Sequence, residues 1–354
     1  MSDTLGTTEL AKGDGPHEPQ RNDAPERAPD TFTQAAQRNR VEQITRLLRE
    51  QGGLAVLVIV FVAASLFSDG FFKAGNLESI LTGNAYVALL ALGMTFVIIS
   101  GGIDLSVGSV FALGGVLAAW GYGHGGGIVA IVLPLAVCAV IGLVQGLLIA
   151  RAGLAPFIVT LAGMLGARGL LQAISHEGST TYTIPDSAWF SRIGDGTWLP
   201  VITVVVLFVL AALLLLRTRY GQSLFAIGGN ENAAVLMGLP VLRNKALVYV
   251  LSGTVAGGAG MLNASRLQSG VTNIGVGYEL TAIAAVIIGG TLLSGGAGSI
   301  VGTAAGVLLL AIMQNLIGVH LSQYGSSASN AVNGAFLAVV VILQTVLTRA
   351  ERIE

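Results

Sequence analysis

Asp104 is the residue with the clearest chemical consequence, because it lies inside a long apolar run. The run reads VIISGGIDLSVGSV at residues 97–110 and also carries glycines. Hydrocarbon solvates neither a carboxylate nor an unwound backbone, so both persist at membrane depth only against protein or a water-filled path. The segment therefore indicates a role in moving a solute. Asp104 has two interpretations: an N-cap of the following helix with Ser106 beside it, or a gating group that could pair with Arg168.

Further polar side chains fall inside other apolar windows and are candidates to line a path. Amides and hydroxyls bind a polar solute weakly enough to release it again. The alternative role of such residues is hydrogen bonding between helices, and we expect about half of them to have it. Glu279 has its own alternative, because a carboxylate in the first turn of a helix interacts favourably with the helix dipole. The candidates for the path are Asn84, Thr95, Asp104, Gln145, Thr160, Asn263, Glu279, Gln314 and Asn315.

Several classes of enzyme are excluded by the motifs of the chain. None of Lys12, Lys73 and Lys245 stands in the context of a phosphate-binding loop, so the chain has no ATPase site of the Walker type. The sequence contains no Ser, His and Asp arrangement typical of a hydrolase and no metal-binding cluster. A single cysteine, Cys138, excludes an intrachain disulfide. We therefore predict no catalytic residue, no metal and no cofactor.

The elements that hold these residues are predicted from hydropathy. The chain is 53% hydrophobic and 10% charged, with a mean hydropathy of +0.77 and 49 glycines in 354 residues, which is typical of a polytopic membrane protein. Its net charge of −1 gives no indication of a nucleic-acid partner. Windows long enough to cross a bilayer predict an all-α bundle of about ten spans, with eight as the lower bound. They are 53–68, 82–100, 105–120, 127–150, 155–174, 198–216, 244–264, 279–293, 299–319 and 329–347.

The two ends of the chain differ from its apolar middle. Residues 1–45 are polar and rich in Pro, Gly and Asp, so we predict a disordered tail with no signal peptide. Residues 46–349 form the predicted membrane domain, and 350–354 the C-terminus. Lys and Arg near the span ends fall mostly on the side of the N-terminus, which the positive-inside rule places in the cytoplasm. An even number of spans then puts both termini in the cytoplasm.

Two predicted loops exceed a simple turn. Residues 175–197, on the outer (periplasmic) side, are polar with aromatic side chains, and they either receive a soluble partner or only connect two spans. Residues 217–244, on the inner side, contain GGNENAAVLMG at 228–238. Asn230 is the predicted N-cap of a short amphipathic helix that ends at Gly238.

That short helix has an apolar face, on which we place Ala233, Ala234 and Met237. A helix of this kind outside the membrane either docks a partner protein or lies on its own bundle.

A short pattern also recurs along the chain. VIISGG at 97–102 is followed by VIIGGT at 286–291, which predicts two parallel half-repeats, although chance is the alternative for so short a match. Glycines spaced four residues apart predict close packing between helices. These sets are 142/146, 253/257 and 298/302/306.

Four motifs follow one another in order along the chain. They are GGIDLSVG at 101–108, APFIVTLAG at 155–163 with Arg168 after it, GGNENAAVLMG at 228–238, and GYELTAIAAVIIGG at 277–290. Together they resemble the membrane permeases of ribose-type ABC sugar importers, over about residues 50–347. This resemblance implies a multi-pass protein of the bacterial inner membrane that carries a sugar inward, and sugars suit a path of amides and hydroxyls.

The resemblance also implies partners: a second permease copy, one or two ABC ATPase subunits inside, and a periplasmic or lipid-anchored sugar-binding protein outside. The inner loop would then couple the permease to the ATPase. The residues implied in this coupling are Gly229, Asn230, Glu231, Asn232, Ala233, Ala234 and Gly238.

Two alternatives stay open. The same machine could import a nucleoside, an autoinducer-like molecule or a branched-chain amino acid. Alternatively, the chain could be an ion-coupled secondary transporter, for which we expect more buried acidic residues and no exposed docking helix.

Overall fold

The computed structural model describes residues 54–68, 70–194, 196 and 198–321, with 331, 332, 334, 335 and 338. The predicted tail 1–45, the C-terminus 350–354 and most of the last predicted span, 329–347, lie outside these residues. Within the described part the all-α prediction is confirmed, since no strand forms there beyond an isolated bridge between Thr183 and Ser269.

Twelve helices are named here in chain order. They are α1 Leu54–Phe67, α2 Ala74–Gly83, α3 Ala85–Ile99, α4 Val107–Ala150, α5 Pro156–Ile174, α6 Ser191–Gly194, α7 Trp198–Arg217, α8 Arg219–Gly229, α9 Glu231–Leu236, α10 Val241–Leu267, α11 Tyr278–Ile288 and α12 Ile300–Leu321.

Five of these helices, α4, α5, α7, α10 and α12, are long and apolar enough to cross a membrane. The pair α2 and α3, bent by 41° around Asn84, makes a sixth candidate span. Helices α1 and α11 are apolar but shorter. By length and composition, the described residues therefore support five or six spans, and the predicted number of ten is not confirmed.

Helix α4 is not one straight rod, although its 44 residues are consecutive. Gly126 interrupts it with φ 73° and ψ −168°, outside the helical region. Cys138 Sγ lies 3.7 Å from the carbonyl oxygen of Val110, 28 residues earlier. In a straight helix these residues would be about 42 Å apart. The two halves of α4 therefore run antiparallel, as the separate windows 105–120 and 127–150 predict.

The predicted span 279–293 is wrong in its length, because helix α11 ends at Ile288. It has 11 residues and is therefore about 16 Å long, half the thickness of a bilayer core. It ends because Gly290, with φ 88°, adopts the left-handed conformation, which favours glycine. The hydropathy window ran through this turn because the residues after it are also apolar.

The recurring sequence pattern corresponds to a recurring structure. At the end of α3, the Gly102 N–H donates to the Val97 carbonyl oxygen and the Gly101 N–H to that of Ile98. At the end of α11, Thr291 and Gly290 make the same two bonds, to Val286 and Ile287. Gly101 and Gly290 both have positive φ, 82° and 88°. Both helices thus end in the same Schellman turn.

Helix packing depends on glycine where backbones approach most closely. A Cβ atom on Gly142 would overlap the carbonyl oxygen of Tyr249, and one on Gly146 would lie 2.7 Å from that of Ala246. The second half of α4 therefore touches the backbone of α10. A Cβ atom on Gly302 of α12 would likewise overlap the carbonyl oxygen of Gly289, at the end of α11, and one on Gly306 would overlap that of Ala285. Close contacts at the glycines spaced four residues apart are thereby confirmed in both places.

Replacing Gly142 by Ala should destabilise the protein, because the new methyl group would collide with the Tyr249 carbonyl. Overpacking of this kind costs about 1–3 kcal/mol. The measurement is the midpoint of thermal unfolding of the purified protein in detergent. Gly123→Ala is the matched control in the same helix, since nothing lies within 4 Å of a Cβ there. Equal midpoints for the two variants would contradict this account of the α4–α10 contact.

Candidate functional site

Asp104 lies at the centre of a buried polar cluster, with 1% of its surface exposed. Its Oδ1 accepts hydrogen bonds from Ser106 N (2.9 Å) and Ser106 Oγ (2.6 Å), and its Oδ2 accepts one from Ser252 Oγ in α10 (2.8 Å). Gln145 Nε2, in the second half of α4, donates to Ser106 Oγ (3.0 Å). The cluster therefore joins the break between α3 and α4 to the second half of α4 and to α10.

The predicted N-cap role of Asp104 and its predicted pairing with Arg168 both need correction, whereas a gating role stays a prediction. Helix α4 begins at Val107, so its N-cap is Ser106, which makes no side-chain capping bond. Asp104 precedes the cap by two residues, and through its bonds to Ser106 it stabilises the turn that leads into α4. Asp104 does not pair with Arg168 either. The Arg168 guanidinium donates to the carbonyl oxygens of Thr272 and Ile274, at 3.0 and 3.2 Å.

The carbonyls that Arg168 binds belong to an irregular segment, residues 268–277, between α10 and α11. This segment runs along the first half of α4: a Cβ on Gly270 would lie 2.9 Å from Val116 Cα, and Gly275 packs directly on Gly108. Unpaired carbonyls are costly in hydrocarbon. Arg168, on α5, therefore supplies donors that the segment's own backbone lacks.

A cavity of about 190 Å³ lies between α4, α5 and α11. Arg168 and Glu279 both line it, and the Glu279 carboxylate packs against Gly108 at the start of α4. Of the predicted path residues, Glu279 is the one that lines this cavity. The other lining residues are Ser109, Met164, Leu165, Gly275 and Val276.

The remaining predicted path residues do not converge on one surface. Thr95 bonds Thr303 across α3 and α12 (2.8 Å), and Asn315 bonds Asn76 across α12 and α2 (2.9 Å). These two form hydrogen bonds between helices, as expected for part of the set. Two others bond a carbonyl oxygen of their own helix or the one before it: Asn84 donates to Ile80 O (3.0 Å) and Thr160 to Pro156 O (2.9 Å). The side chain of Asn263 is buried, whereas that of Gln314 is exposed.

The inner loop 217–244 contains two helices where one was predicted. Thr218 Oγ1 accepts from Gly221 N (3.1 Å) and so caps α8, which the sequence analysis missed. Asn230 Oδ1 accepts from Ala233 N (3.0 Å) and caps α9, as predicted. Lys245 of α10 then pairs with Glu231 at 2.5 Å. The loop is therefore a rigid, capped structure.

Helix α8, the first helix of this loop, carries a tyrosine with a buried hydroxyl, Tyr220. The Tyr220 phenol is enclosed, and its hydroxyl has no hydrogen-bond partner within the described residues. Burial therefore raises the pKa of Tyr220 well above its usual value, because the phenolate would lose its hydration.

The apolar face of α9 differs from the prediction. Ala234 is fully buried, and it packs with Ile227 and Val241. It therefore holds α9 on the protein and cannot contribute to a docking surface. The exposed apolar side chains are Val235 (57%), Leu236 (88%) and Met237 (66%). We call these three the α9 tip.

Glycines bring three separate backbones together beside this loop. A Cβ on Gly228, at the end of α8, would overlap the Ile99 carbonyl oxygen and lie 2.5 Å from Gly296 N. A Cβ on Gly295 would lie 2.9 Å from Gly101 Cα. The Gly296 N–H also donates to Ile99 O (2.9 Å). We call this contact between α8, the end of α3 and the turn before α12 the glycine junction.

The outer loop is attached to the end of α10. Ile184 N donates to Gln268 O (2.7 Å), and Gly270 N donates to Tyr182 O (2.9 Å). Trp189 in this loop is half exposed (52%). The described part of the loop therefore has a defined structure and an exposed aromatic ring.

Comparison with known proteins decides the family. The family model described as "Branched-chain amino acid transport system / permease component" matches residues 76–345. The chain belongs to this family. The permease is similar to the ribose import permease of Bacillus subtilis, with 40% identity over 296 residues, covering 82% of this chain and 90% of the relative.

Two further relatives are carbohydrate permeases. The L-arabinose transport system permease of Escherichia coli is 35% identical over 323 residues (87% of this chain, 94% of the relative). The fructose import permease of Bifidobacterium longum is 32% identical over 305 residues (82% and 88%). The resemblance seen in the four motifs is thus confirmed. The permease is a multi-pass protein of the inner membrane and a component of an ABC importer, whose machinery also includes an ATPase and a binding protein.

Sequence reasoning missed three parts of this permease. Ser252 was not singled out as a partner of Asp104, the carbonyl ligands of Arg168 were not foreseen, and Gly228 was not linked to Gly101. Hydropathy carried one relevant signal, because the breaks at 101–104 and 294–298 are the gaps between the predicted windows 82–100 and 105–120, and 279–293 and 299–319. Those breaks both contribute to the glycine junction.

The Asp104 cluster predicts that hydrogen bonding matters more than charge. In Asp104→Asn the amide oxygen still accepts from Ser106, and the amide group can bond Ser252. Asp104→Leu removes the acceptor of the Ser106 N–H, the Ser106 hydroxyl and the Ser252 hydroxyl, at a cost of about 1–3 kcal/mol. We expect Asn to retain near-normal folded yield and uptake, and Leu to lose folded protein, measured by size-exclusion chromatography in detergent. Normal folding with abolished uptake in Asp104→Asn would instead assign a role to the charge.

Proposed function

We propose that this chain is the subunit through which a sugar crosses the inner membrane, as part of an ABC importer. The observation that carries the proposal is the inner loop. It is a capped, rigid structure with an exposed apolar tip, and it touches the two helix breaks through the glycine junction. An ion-coupled secondary transporter would not need such a docking element.

The cargo is proposed from the relatives and from the chemistry of the site. Three similar permeases are named for ribose, L-arabinose and fructose, whereas the family description names branched-chain amino acids. The polar groups of the cavity, Ser109, Arg168 and Glu279, together present donors and acceptors with no net charge. This combination suits a molecule rich in hydroxyl groups.

Coupling follows from the contacts of the inner loop. The α9 tip docks on the ATPase, and Glu231 and Lys245 hold α9 on α10. Movement of α8 is transmitted through Gly228 to the end of α3 and the turn before α12, since no side chain separates these backbones. The breaks at 100–106 and 289–299 then change conformation. ATP is hydrolysed by the partner subunit.

The topology and assembly are proposed as follows. Ten spans place both termini, the tail 1–45 and the loop 217–244 in the cytoplasm, and the loop 175–197 in the periplasm. Two copies of the chain, or this chain and a related one, enclose the path. The binding protein docks on the periplasmic side, where Trp189 is exposed.

Cysteine labelling tests this topology. A cysteine in place of Thr183 should react with a membrane-impermeant maleimide in intact cells with a permeable outer membrane, because the loop 175–197 faces outward. A cysteine in place of Ser2 should react only after the inner membrane is opened. The natural Cys138 is buried, which keeps the background low. Labelling of both positions from the same side would refute the ten-span arrangement.

Uptake measurements test the function. Cells that express the permease with its neighbouring ATPase and binding protein should accumulate one of radiolabelled D-ribose, L-arabinose or D-fructose. Accumulation should persist with a protonophore present as long as ATP is supplied, and it should stop when the ATPase subunit is inactivated. Leucine and a nucleoside serve as competing cargoes. Import of leucine alone would reject the sugar assignment, and import without the ATPase would reject the ABC mechanism.

The glycine junction gives a test of coupling. Gly228→Ala should retain membrane insertion and co-purification of the ATPase subunit, yet lose stimulated ATP hydrolysis and uptake by about tenfold or more. Gly229→Ala is the matched control, because a Cβ there meets nothing within 4 Å. Leu236→Glu acts on the docking surface itself and should lose co-purification as well. Wild-type coupling in Gly228→Ala would show that the junction does not transmit the movement.

A further inference from the structure

Arg168 and Glu279 share one cavity without forming a close ion pair. The single ion pair within 4.0 Å among the described residues is that of Lys245 and Glu231. Arg168 is oriented by the carbonyls of Thr272 and Ile274 and not by the Glu279 carboxylate. The two groups are therefore held apart on the walls of the cavity.

Both groups keep unused hydrogen-bonding capacity. A guanidinium has five N–H donors. Arg168 uses three of them: Nη1 bonds both carbonyls, and Nη2 bonds that of Ile274 at 3.2 Å. The carboxylate of Glu279 has no hydrogen bond to another described residue, although it packs against Gly108. Two donors and a carboxylate are thus left without a described partner on residues that line the same cavity.

Arg168 lies within a helix that is long and apolar enough to cross a membrane. Arg168 is twelve residues from the start of α5 and six from its end, which is about 18 and 9 Å of helix. The guanidinium is turned towards the irregular segment and not towards the helix end. Spare donors in contact with lipid chains are costly, so water or a polar solute must fill this space.

We propose that Arg168 and Glu279 form a binding station for sugar hydroxyls on the translocation path, and this rests on the proposed function. A hydroxyl both donates and accepts, so neighbouring hydroxyls of one sugar can accept from Arg168 and donate to Glu279. The surrounding walls are formed by Leu165, Met164 and Val276. These apolar side chains pack against C–H groups without adding polar attraction, which keeps binding weak enough for release.

The first test asks whether the cavity is filled with water. Cysteines are placed at Leu165, which lines the cavity, and at Val205 on α7, which does not. These positions are exposed to similar extents, 65% and 55%. In the assembled transporter in membrane vesicles, Leu165→Cys should react with a charged, water-soluble thiosulfonate and Val205→Cys should not. Equal lack of reaction at both positions would overturn the proposal.

The second test asks whether Glu279 contacts hydroxyls. The transported sugar is compared with its monodeoxy analogues, each at saturating occupancy of the binding protein. The wild type should move at least one analogue about tenfold more slowly, because its site is left with an unpaired polar group. This ratio should fall towards one in Glu279→Leu. Glu78→Leu, at an exposed position on α2, is the matched control and should keep the wild-type ratio.

The outcomes separate the two proposals. If the wild type imports none of the sugars, the proposed function fails. If it imports a sugar but Glu279→Leu keeps both the rate and the analogue ratio, the hydroxyl station is wrong and the permease assignment stands. Should Glu279→Leu fail to fold, Glu279→Gln replaces it: the amide alters the pattern of donors, so the preferred analogue should change. An unchanged preference in that variant overturns the station too.

Discussion

The structure depends on one constraint: a backbone N–H or C=O that leaves a helix inside a membrane must find a partner in the protein. Three of the segments that leave the helical path, at residues 100–106, 268–277 and 289–299, are each held by a different partner. Asp104 binds the first, Arg168 binds the second, and the Ile99 carbonyl accepts from Gly296 of the third. Breaks that are held by such bonds can change conformation, because a movement exchanges one set of bonding partners for another.

Glycine is the second requirement, since it lets these breaks touch. At the glycine junction, no side chain lies between α8, the end of α3 and the turn before α12. Contacts between backbones cannot be absorbed by a rotamer change, so a displacement at one side reaches the other. The two Schellman turns that end α3 and α11 make this arrangement partly symmetric. The repeat found in the sequence therefore marks equivalent positions in the structure, because each copy ends a helix in the same turn immediately before a break.

Sequence patterns predicted the features that depend on local composition. The windows 155–174 and 198–216 agree closely with α5 and α7, since lipid exposure requires an uninterrupted apolar run. The window 279–293 failed because a half-length helix and the turn after it are both apolar. Ala234 was placed on the wrong face because α9 has six residues, too few turns for a pattern to define a side. The partners of Arg168 lie 104 and 106 residues away and are carbonyl groups, which have no signature in a sequence.

The α9 tip has a consequence for the life of the protein in the cell. Leu236 is 88% exposed and is flanked by two more exposed apolar residues. If the α9 tip docks on the ATPase as proposed, a copy without its ATPase would present to the cytoplasm the kind of surface that chaperones and proteases recognise. Unassembled permease would then be removed faster than assembled permease. The amount of this protein in the membrane would follow the supply of its partner, so the stoichiometry of the importer would be maintained by degradation as well as by synthesis.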